Sequence, residues 1–356
     1  MKRAVRMVLR KSLRQIRHVR AVDPPAAEGL VAAVYTRAEQ DFGVVAPPLA
    51  LHSPAPVPLA ATWLLLRETL LADQLVDRSV KEAVATAVSR ANACPYCVEV
   101  HEAKLDTLPP VVNGVPAAVA EWAQGTVRPR GPKTPLPVSF SPAEAAEVYG
   151  VAFTFHYLNR MVSVFLDESP VPERTPRLLR GTIMRAVARV MAPDSPGPLK
   201  PGASLGLLPA AEPPDGLEWA EPSPVVAGAV SRAIAAVADE AHWVPAGVRQ
   251  RLEACLETWD RQPVGPSRTW LEEAVGKLPA AELPAARLAL LTAFAPYQVL
   301  AEDVSSFRRY HSSDKELIAL TSWAALTTAV HILAGSGPAA PPRAADMGPG
   351  EMSGGR

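Results

Sequence analysis

The 356-residue chain has only three cysteines, Cys94, Cys97 and Cys255, and this scarcity excludes a scaffold held together by disulfides. An odd number leaves at least one thiol unpaired, which favours a reducing compartment, so we expect a cytoplasmic protein. Uninterrupted apolar runs of the roughly 20 residues that span a bilayer are also missing. The start of the chain likewise lacks the apolar segment of a secretory signal.

Net charge is absent too, because 36 Lys and Arg residues balance 36 Asp and Glu residues. This balance argues against a nucleic-acid-binding protein that depends on bulk positive charge. The charge is unevenly placed, since residues 1–20 hold eight basic residues and no acid. Apolar residues from Val5 to Val19 recur at helical spacing and predict a basic amphipathic helix over 2–19. Packing of this helix on its own domain or on a neighbouring subunit is favoured over contact with a membrane.

Proline is abundant, at 38 residues, and alternating β-branched runs are scarce. This pattern predicts an all-α fold of helices separated by proline-rich loops. The predicted organisation is a basic N-terminal helix over 1–22, a domain with the cysteine pair over 23–192, a Pro/Gly-rich linker over 193–224, a helical second half over 225–334 and a disordered tail over 335–356.

Helical periodicity sets the individual elements within this organisation. A proline-rich loop is predicted over 44–58, and Ser141 before Pro142 is a predicted N-cap. Predicted helices cover 26–42, 59–73, 78–92, 94–105, 142–166, 173–191, 225–241, 245–260, 267–277, 282–307 and 313–334.

The most informative segment runs from Glu82 to His101 and reads EAVATAVSRANACPYCVEVH. It places Cys94 and Cys97 at C-x-x-C spacing where Pro95 opens a helix, and His101 follows Cys97 by four residues. Cys97 and His101 therefore project from one helix face. Because unpaired N–H groups and the helix dipole stabilise a thiolate in the first turn, the segment predicts a redox-active thiol site.

The chemistry expected of this site begins with proton transfer. His101 is placed to accept the proton of Cys97 and return it to a leaving group, and Glu82, on the preceding helix, is placed to orient His101. A peroxide would oxidise one thiolate to a sulfenic acid, and the other thiol would condense with it to a disulfide. An external dithiol would then restore the two thiols.

Other functions fit parts of the pattern. Two thiolates, an imidazole and a carboxylate form a ligand set for zinc, although no second Cys/His pair is present. A c-type haem needs histidine where Val98 stands, and a thioredoxin-like fold needs a strand before the motif. The dithiol also fits a non-catalytic redox switch or interaction protein, and two inert core cysteines are a further alternative. We expect no bound cofactor.

The spacing of Glu82, Cys94, Cys97 and His101 in an all-helical context resembles the AhpD-like alkylhydroperoxidases of the carboxymuconolactone decarboxylase superfamily. The NACPYC segment is similar to their peroxidase-related branch, and HYLNRMVSVFL at 156–166 is similar to a segment that follows the motif in that group. Some members carry a histidine between the cysteines, where this chain has tyrosine.

The resemblance implies an AhpD-like helical bundle that reduces hydroperoxides. Cys97 would be the peroxidatic thiol, Cys94 the thiol that resolves it and meets the reductant, and His101 and Glu82 the proton relay. It also implies a hydroperoxide substrate, a dithiol reductant such as a lipoylated or thioredoxin-like protein, and a homo-oligomer. The decarboxylase branch lacks the cysteine pair, so decarboxylation is disfavoured.

The chain is longer than a minimal member of that group, and an internal repeat is one interpretation of the extra length. Lys315 and Glu316 align with Lys81 and Glu82, and Thr328 and His331 then replace the two cysteines. The second half would be a degenerate copy without the thiol site.

The positions of two further features in the sequence suggest their roles. Cys255 lies on an apolar helical face and is interpreted as a structural cysteine. His156, Tyr157, Asn159 and Arg160 lie on the helix over 142–166, which is expected to pack near the site. Arg160 either stabilises a thiolate or a glutamate, or serves as a capping or ion-pair residue.

Overall fold

The computed structural model describes residues 13–109, 114–127, 136–137, 140–172, 174–192 and 197–336. All regular structure in these ranges is helical, which confirms the predicted all-α fold. Fourteen α-helices lie in the described ranges: α1 Gly29–Asp41, α2 Pro47–Ala50, α3 Pro56–Leu65, α4 Arg78–Ala91, α5 Pro95–Leu105, α6 Val115–Gly125, α7 Pro142–Phe165, α8 Arg177–Val190, α9 Pro224–Glu240, α10 Ala246–Thr258, α11 Thr269–Val275, α12 Leu283–Phe294, α13 Ala301–Arg308 and α14 Asp314–Leu333.

Helix α7 is the central element of the fold. Ser141 begins it with a capping box that includes Glu144, as the serine–proline sequence predicts. The helix is buried along most of its length, and α4 and α14 both pack against it. The sequence of α14 is apolar and long enough to cross a membrane, but 78% of its most apolar stretch is buried inside the protein. It is therefore a core helix of this fold.

The predicted N-terminal helix does not continue through its described part. Residues 2–12 lie outside the described ranges, Leu13–Gln15 form a single 3₁₀ turn, and His18 has a φ of 68°. The backbone N–H of Arg17 instead donates to the carbonyl of Phe165, and Val19 is buried. This contact with the end of α7 replaces the helical hydrogen bonds of residues 16–19. Of the tail predicted over 335–356, Gly335 is ordered by a hydrogen bond from its backbone N–H to the carbonyl of Gly216, and residues 337–356 lie outside the described ranges.

The prediction of a single helix over 282–307 is also wrong. Helix α12 ends at Phe294, and Ala295, which precedes Pro296, has φ −148° and ψ 60°. A residue before proline is displaced from the helical region by contact with the proline ring, which explains the break. A 3₁₀ turn, Pro296–Gln298, then leads to α13. The predicted loop over 44–58 likewise contains the short helix α2 and the start of α3.

The segment predicted as a linker packs on the first half where it is described, over 197–224. The carboxylate of Glu68 accepts hydrogen bonds from the backbone N–H groups of Gly202 and Ser204 at 2.7 and 2.8 Å. The ring of Trp219 lies 5.7 Å from that of Tyr149 on α7. One hydrophobic core therefore contains residues from both sides of this segment. The predicted domain bounds and the internal repeat stay predictions.

Candidate active site

A sharp turn between α4 and α5 places the two cysteines. Ala93 adopts a left-handed conformation with φ 50°, and the backbone N–H of Cys94 donates to the carbonyl of Ser89 at 2.9 Å. Cys94 is the N-cap of α5 and Pro95 its first residue, as the sequence predicts. Cys97 therefore lies in the first turn of α5. Both thiols are free and buried.

The two sulfurs have different surroundings. Cys97 lies on the wall of an apolar cavity, together with His101 from the next turn of α5. Cys94 is also buried but is not among the residues that line the cavity, and side-chain hydrogen bonding by Ser163 and Asn159, on α7, acts to lower the pKa of its thiol. One thiol is thus open to a molecule in the cavity, and the other is held among protein donors.

The electrostatics of the pair follow from these surroundings. Burial opposes ionisation of Cys94, but hydrogen bonds from Cys97, Ser163 and Asn159 outweigh it and lower its pKa. Burial raises the pKa of Cys97 well above its ordinary value, and the adjacent Cys94 sulfur raises it further. These surroundings favour Cys94 over Cys97 as the thiol that ionises first. The sequence pointed to Cys97 as the activated thiol, because the donors from α7 are not visible in the local motif.

Glu82 and His101 form a close contact behind the cavity wall. Oε2 of Glu82 lies 2.6 Å from Nδ1 of His101, and Oε1 accepts two hydrogen bonds from Arg78 at 2.6 and 2.8 Å. Burial opposes ionisation of Glu82, but the charges of Arg78 and His101 outweigh it and lower its pKa to about 2. Glu82 is therefore a carboxylate at neutral pH.

Two features of this contact were not visible in the sequence. The apolar stripe of α4 left Glu82 on a different face, yet the structure buries it completely, because α5, α6 and α7 cover α4 on several sides. Arg78 was missed, although its position four residues before Glu82 on one helix is a signal for an ion pair.

The His101 ring is fixed in one orientation. Its Nδ1–H donates to Glu82, which leaves Nε2 without a proton in the neutral ring. The ring packs edge-on against Phe155, with centroids 4.6 Å apart and an angle of 89° between the planes. His101 can therefore accept a proton through Nε2 while the carboxylate of Glu82 stabilises the resulting cation.

The cavity in front of Cys97 has a volume of about 360 Å³ and is almost entirely apolar. Its polar lining side chains include Cys97, His101, Gln15 and Tyr96. Burial and the two nearby sulfurs raise the pKa of Tyr96, so its hydroxyl keeps its proton. Apolar lining residues come from several helices and loops: Phe42, Val44, Leu49, Trp63, Leu66, Leu70, Leu71, Val100, Leu158, Val171, Ile183, Met184, Val187 and Met191.

A π-helical turn shapes one side of this cavity. Residues Leu66–Leu71 continue α3 with wider π-type turns, and Leu66, Leu70 and Leu71 all reach the cavity. The charged residues of the same turn are paired, since Arg67 contacts Asp41 at 2.7 Å and Glu68 at 2.8 Å. Turns of this kind occur often at functional sites. The apolar sequence of this segment predicted only an ordinary helix over 59–73.

Helix α8 closes the opposite side, and Gly43 allows its close approach. Gly43 has a φ of 86°, and a Cβ atom there would collide with the carbonyl oxygen of Val190, at the end of α8. Glycine is therefore required both by the backbone conformation and by the contact.

Asn159 is the main site residue whose role the sequence did not reveal. Its Nδ2 donates to Ser89 at 3.0 Å, and its Oδ1 accepts from Asn92 at 3.0 Å. Hydrogen bonding by Asn159 also acts to lower the pKa of both Cys94 and Cys97. An amide held on two sides in this way presents a fixed N–H to the thiol pair. The sequence indicated only that its helix packs near the site.

The structure places Arg160 away from this chemistry. Its Nε donates to the carbonyl of Ala293 at 2.9 Å, and its Nη1 donates to the carbonyl of His156 at 2.6 Å. Burial lowers its pKa to about 9. In place of the suggested contact with a thiolate or a glutamate, Arg160 donates to two backbone carbonyls. Cys255 is half-buried on α10, where its sulfur lies 3.8 Å from the carbonyl of Ala274.

Metal binding has no support in the described part of the chain. There, no group of three or more His, Cys, Asp or Glu residues is placed to hold a metal ion. The zinc alternative therefore lacks a ligand set among these residues.

Two comparisons with known proteins agree with this arrangement. The sequence profile of the Carboxymuconolactone decarboxylase family matches residues 58–106, which contain Glu82, Cys94, Cys97 and His101. The chain is also similar to an alkyl hydroperoxide reductase of Mycobacterium tuberculosis, with 38% identity over 332 residues, 89% of this chain and 94% of the relative. The chain belongs to the carboxymuconolactone decarboxylase family, and the AhpD-like resemblance is confirmed.

Proposed function

We propose that this protein is a thiol-dependent peroxidase that reduces organic hydroperoxides through Cys97 and Cys94. The observation that carries the proposal is the meeting of Cys97 and His101 on the wall of one apolar cavity, with the buried Cys94 one helical turn before Cys97. The name of the M. tuberculosis relative, alkyl hydroperoxide reductase, supports the same reaction.

The reaction begins with loss of one proton from the thiol pair to Nε2 of His101, where Glu82 stabilises the positive charge. The remaining proton is shared between the sulfurs, so the negative charge reaches Cys97 when that proton lies on Cys94. The Cys97 thiolate attacks the terminal oxygen of the hydroperoxide, and the O–O bond breaks. The alkoxide takes the proton from His101 and leaves as an alcohol, and Cys97 becomes a sulfenic acid.

The second half of the reaction uses Cys94. Its lowered pKa favours the thiolate form, which attacks the Cys97 sulfur and forms the Cys94–Cys97 disulfide. The departing hydroxide takes up the second thiol proton, through His101, and becomes water. Two thiols and one hydroperoxide thus give one disulfide, one alcohol and one water.

A dithiol reductant must restore the pair. Because Cys97 is the sulfur on the cavity wall, we place the reductant's attack at Cys97, although the resemblance assigned this contact to Cys94. The reductant's first thiolate forms a mixed disulfide with Cys97, and its second thiol releases the enzyme. A lipoylated or thioredoxin-like protein fits this role. Assembly as a homo-oligomer and a cytoplasmic location remain predictions.

The cavity favours a substrate with a hydrocarbon tail. Hydrogen peroxide forms strong hydrogen bonds with water and has almost no apolar surface to bury, so its binding in this apolar cavity is weakly favoured. An alkyl or acyl chain buries apolar surface against the lining residues, which favours its binding. The peroxide group would then be the polar end of the substrate, next to Cys97 and His101.

Turnover of cumene hydroperoxide with excess dihydrolipoamide tests the proposal. We expect steady turnover by the wild-type protein, loss of at least about 1,000-fold in Cys97→Ser because the nucleophile is absent, and an unchanged rate in the matched control Cys255→Ser. Unchanged turnover in Cys97→Ser would contradict the proposal. A single oxidation with no turnover, despite excess dithiol, would favour the redox-switch alternative.

A further inference from the structure

Helix α8 has two faces with different surroundings. Its inner face contributes Met184 and Val187 to the cavity wall. Its outer face exposes large apolar side chains, with Leu178 at 94%, Leu179 at 52% and Ile183 at 39% of their full exposure. Ile183 lines the cavity as well, so it lies at the rim where the cavity meets solvent. This outer face is unusual, because exposed leucines are normally scattered singly over a protein surface.

The charges on this helix have one sign. Residues 174–192 contain five arginines and no Asp or Glu. Arg185 and Arg189, one helical turn apart, are exposed along one edge of the outer face, and Leu179 and Ile183 lie along the other edge. Gln15, which follows the basic N-terminal sequence, also lies on the wall of this cavity.

We propose that the outer face of α8 docks on a membrane surface that contains anionic lipids. Arg185 and Arg189 would bind headgroup phosphates, and Leu178 and Leu179 would enter the boundary between headgroups and acyl chains. Ile183 at the rim would then open the cavity toward the bilayer. On the basis of the proposed peroxidase function, the substrate class would be a lipid hydroperoxide, whose oxidised acyl chain enters the cavity from the membrane.

Other occupants of this face fit less well. A second copy of the chain that used the same face would oppose the arginines of one α8 with those of the other. An acidic protein would pair with Arg185 and Arg189 but gives no specific reason for the exposure of Leu178 and Leu179. An anionic bilayer satisfies both the charge and the apolar surface.

Flotation of the full-length protein with lipid vesicles tests the docking directly. We expect binding to vesicles of phosphatidylcholine and phosphatidylglycerol, weakening with added salt, and little binding to phosphatidylcholine alone. The Arg185→Glu/Arg189→Glu variant should lose at least about tenfold in partitioning, since each basic residue near an anionic surface contributes a factor of about five. Leu178→Ser/Leu179→Ser should weaken binding in the same direction.

Matched controls lie away from α8. Lys277 and Arg309 are exposed, so Lys277→Glu/Arg309→Glu makes the same charge change, and Leu75→Ser removes an exposed leucine. Both controls should bind vesicles like the wild type. Thermal melting of each variant separates lost docking from lost folding.

The outcomes separate docking from catalysis. Turnover of cumene hydroperoxide in vesicle-free solution should be unchanged in the α8 variants, because the substituted side chains do not line the cavity. Absence of vesicle binding, equal binding to neutral vesicles, or full binding by the α8 variants overturns the docking proposal and leaves the peroxidase function standing. Vesicle binding without any turnover would overturn the peroxidase function and leave the docking intact.

Discussion

Cys97 lines the apolar cavity, whereas Cys94, one helical turn earlier, is buried outside the cavity lining, where hydrogen bonding by Ser163 and Asn159 helps to lower its pKa. The pair thereby separates two properties that a dithiol peroxidase needs. In the proposed mechanism, Cys97 meets the peroxide, and Cys94, whose pKa is lowered, attacks the oxidised Cys97.

The donors from α7 set the pKa of Cys94. Replacing Asn159 with leucine removes one donor at similar volume, and Ser163→Ala removes the other, so each change should raise the apparent pKa of the first thiol to ionise. Ultraviolet absorbance of the thiolate, recorded against pH, measures this value. Thr126→Val is the control, because Thr126 contacts His156 at the far end of the same hydrogen-bond network. An unchanged pKa in both Asn159→Leu and Ser163→Ala would refute the assignment.

The contact between Glu82 and His101 should speed the attack of Cys97 on the peroxide. General acid–base catalysis contributes about 10²- to 10⁴-fold, so His101→Asn should slow sulfenic acid formation by a factor in this range. Glu82→Gln keeps the shape but loses the charge, and we expect a smaller loss of about 10- to 100-fold. Stopped-flow measurement with cumene hydroperoxide gives the rates.

Glu102→Gln is the matched control for the relay. Glu102 lies on α5, one residue after His101, but its carboxylate is exposed and pairs with Arg90 at the surface. The rate of sulfenic acid formation in Glu102→Gln should equal that of the wild type. A Glu82→Gln variant that reacts as fast as this control would show that the carboxylate does not assist His101.

The lowered pKa of Glu82 also predicts how stability depends on pH. Its pKa falls from an ordinary value of 4.5 to about 2 on folding, so the ionised carboxylate stabilises the protein above about pH 4.5. This contribution, worth about 3 kcal/mol, is lost as the pH falls from 4.5 toward 2. The Glu82→Gln variant lacks this contribution at every pH. The difference in free energy of unfolding between the wild type and Glu82→Gln should therefore shrink as the pH falls from 4.5 toward 2.

Urea unfolding at a series of pH values measures that difference. The Glu102→Gln protein should differ little from the wild type throughout, since its carboxylate is exposed. A difference for Glu82→Gln that is the same at pH 3 as at pH 7 would contradict the lowered pKa.

Filling the cavity should change substrate preference. Val100 lines the cavity on α5, so Val100→Trp should lower kcat/KM for a hydroperoxide with a hydrocarbon tail by about tenfold or more, through lost burial of the tail. The value for hydrogen peroxide should change much less. Val98→Trp, on the same helix but outside the cavity lining, is the control. Equal losses for both substrates in Val100→Trp would argue against the cavity as the substrate site.

The sequence predicted the parts of the site that are set locally. Proline after Cys94 begins α5 as expected, and the spacing of four residues places Cys97 and His101 on one cavity. The sequence also predicted that the carboxylate of Glu82, on α4, lies next to His101, on α5, across the turn that joins these helices. These features follow from helix geometry over a single hairpin of helices.

The remaining features depend on contacts between segments that are distant in the chain. Asn159 and Ser163 reach Cys94 only because α7 packs against α4, so the location of the thiolate could not be read from the motif. The π turn at Leu66–Leu71 and the approach of α8 to Gly43 shape the cavity in the same way. Local apolar periodicity is the same for an α-helix and for a single π turn within it, so sequence alone predicted neither the cavity nor its apolar character.

The most direct test of the account is a thiol count on fully reduced, metal-free protein before and after one equivalent of cumene hydroperoxide. The account predicts the rapid loss of two thiols in the wild type and in Cys255→Ser. It also predicts that Cys94→Ser stops at a sulfenic acid on Cys97, detected by mass spectrometry, and that Cys97→Ser does not react. No loss of thiols over minutes in the wild type, or an equally fast reaction in Cys97→Ser, would contradict the central claim.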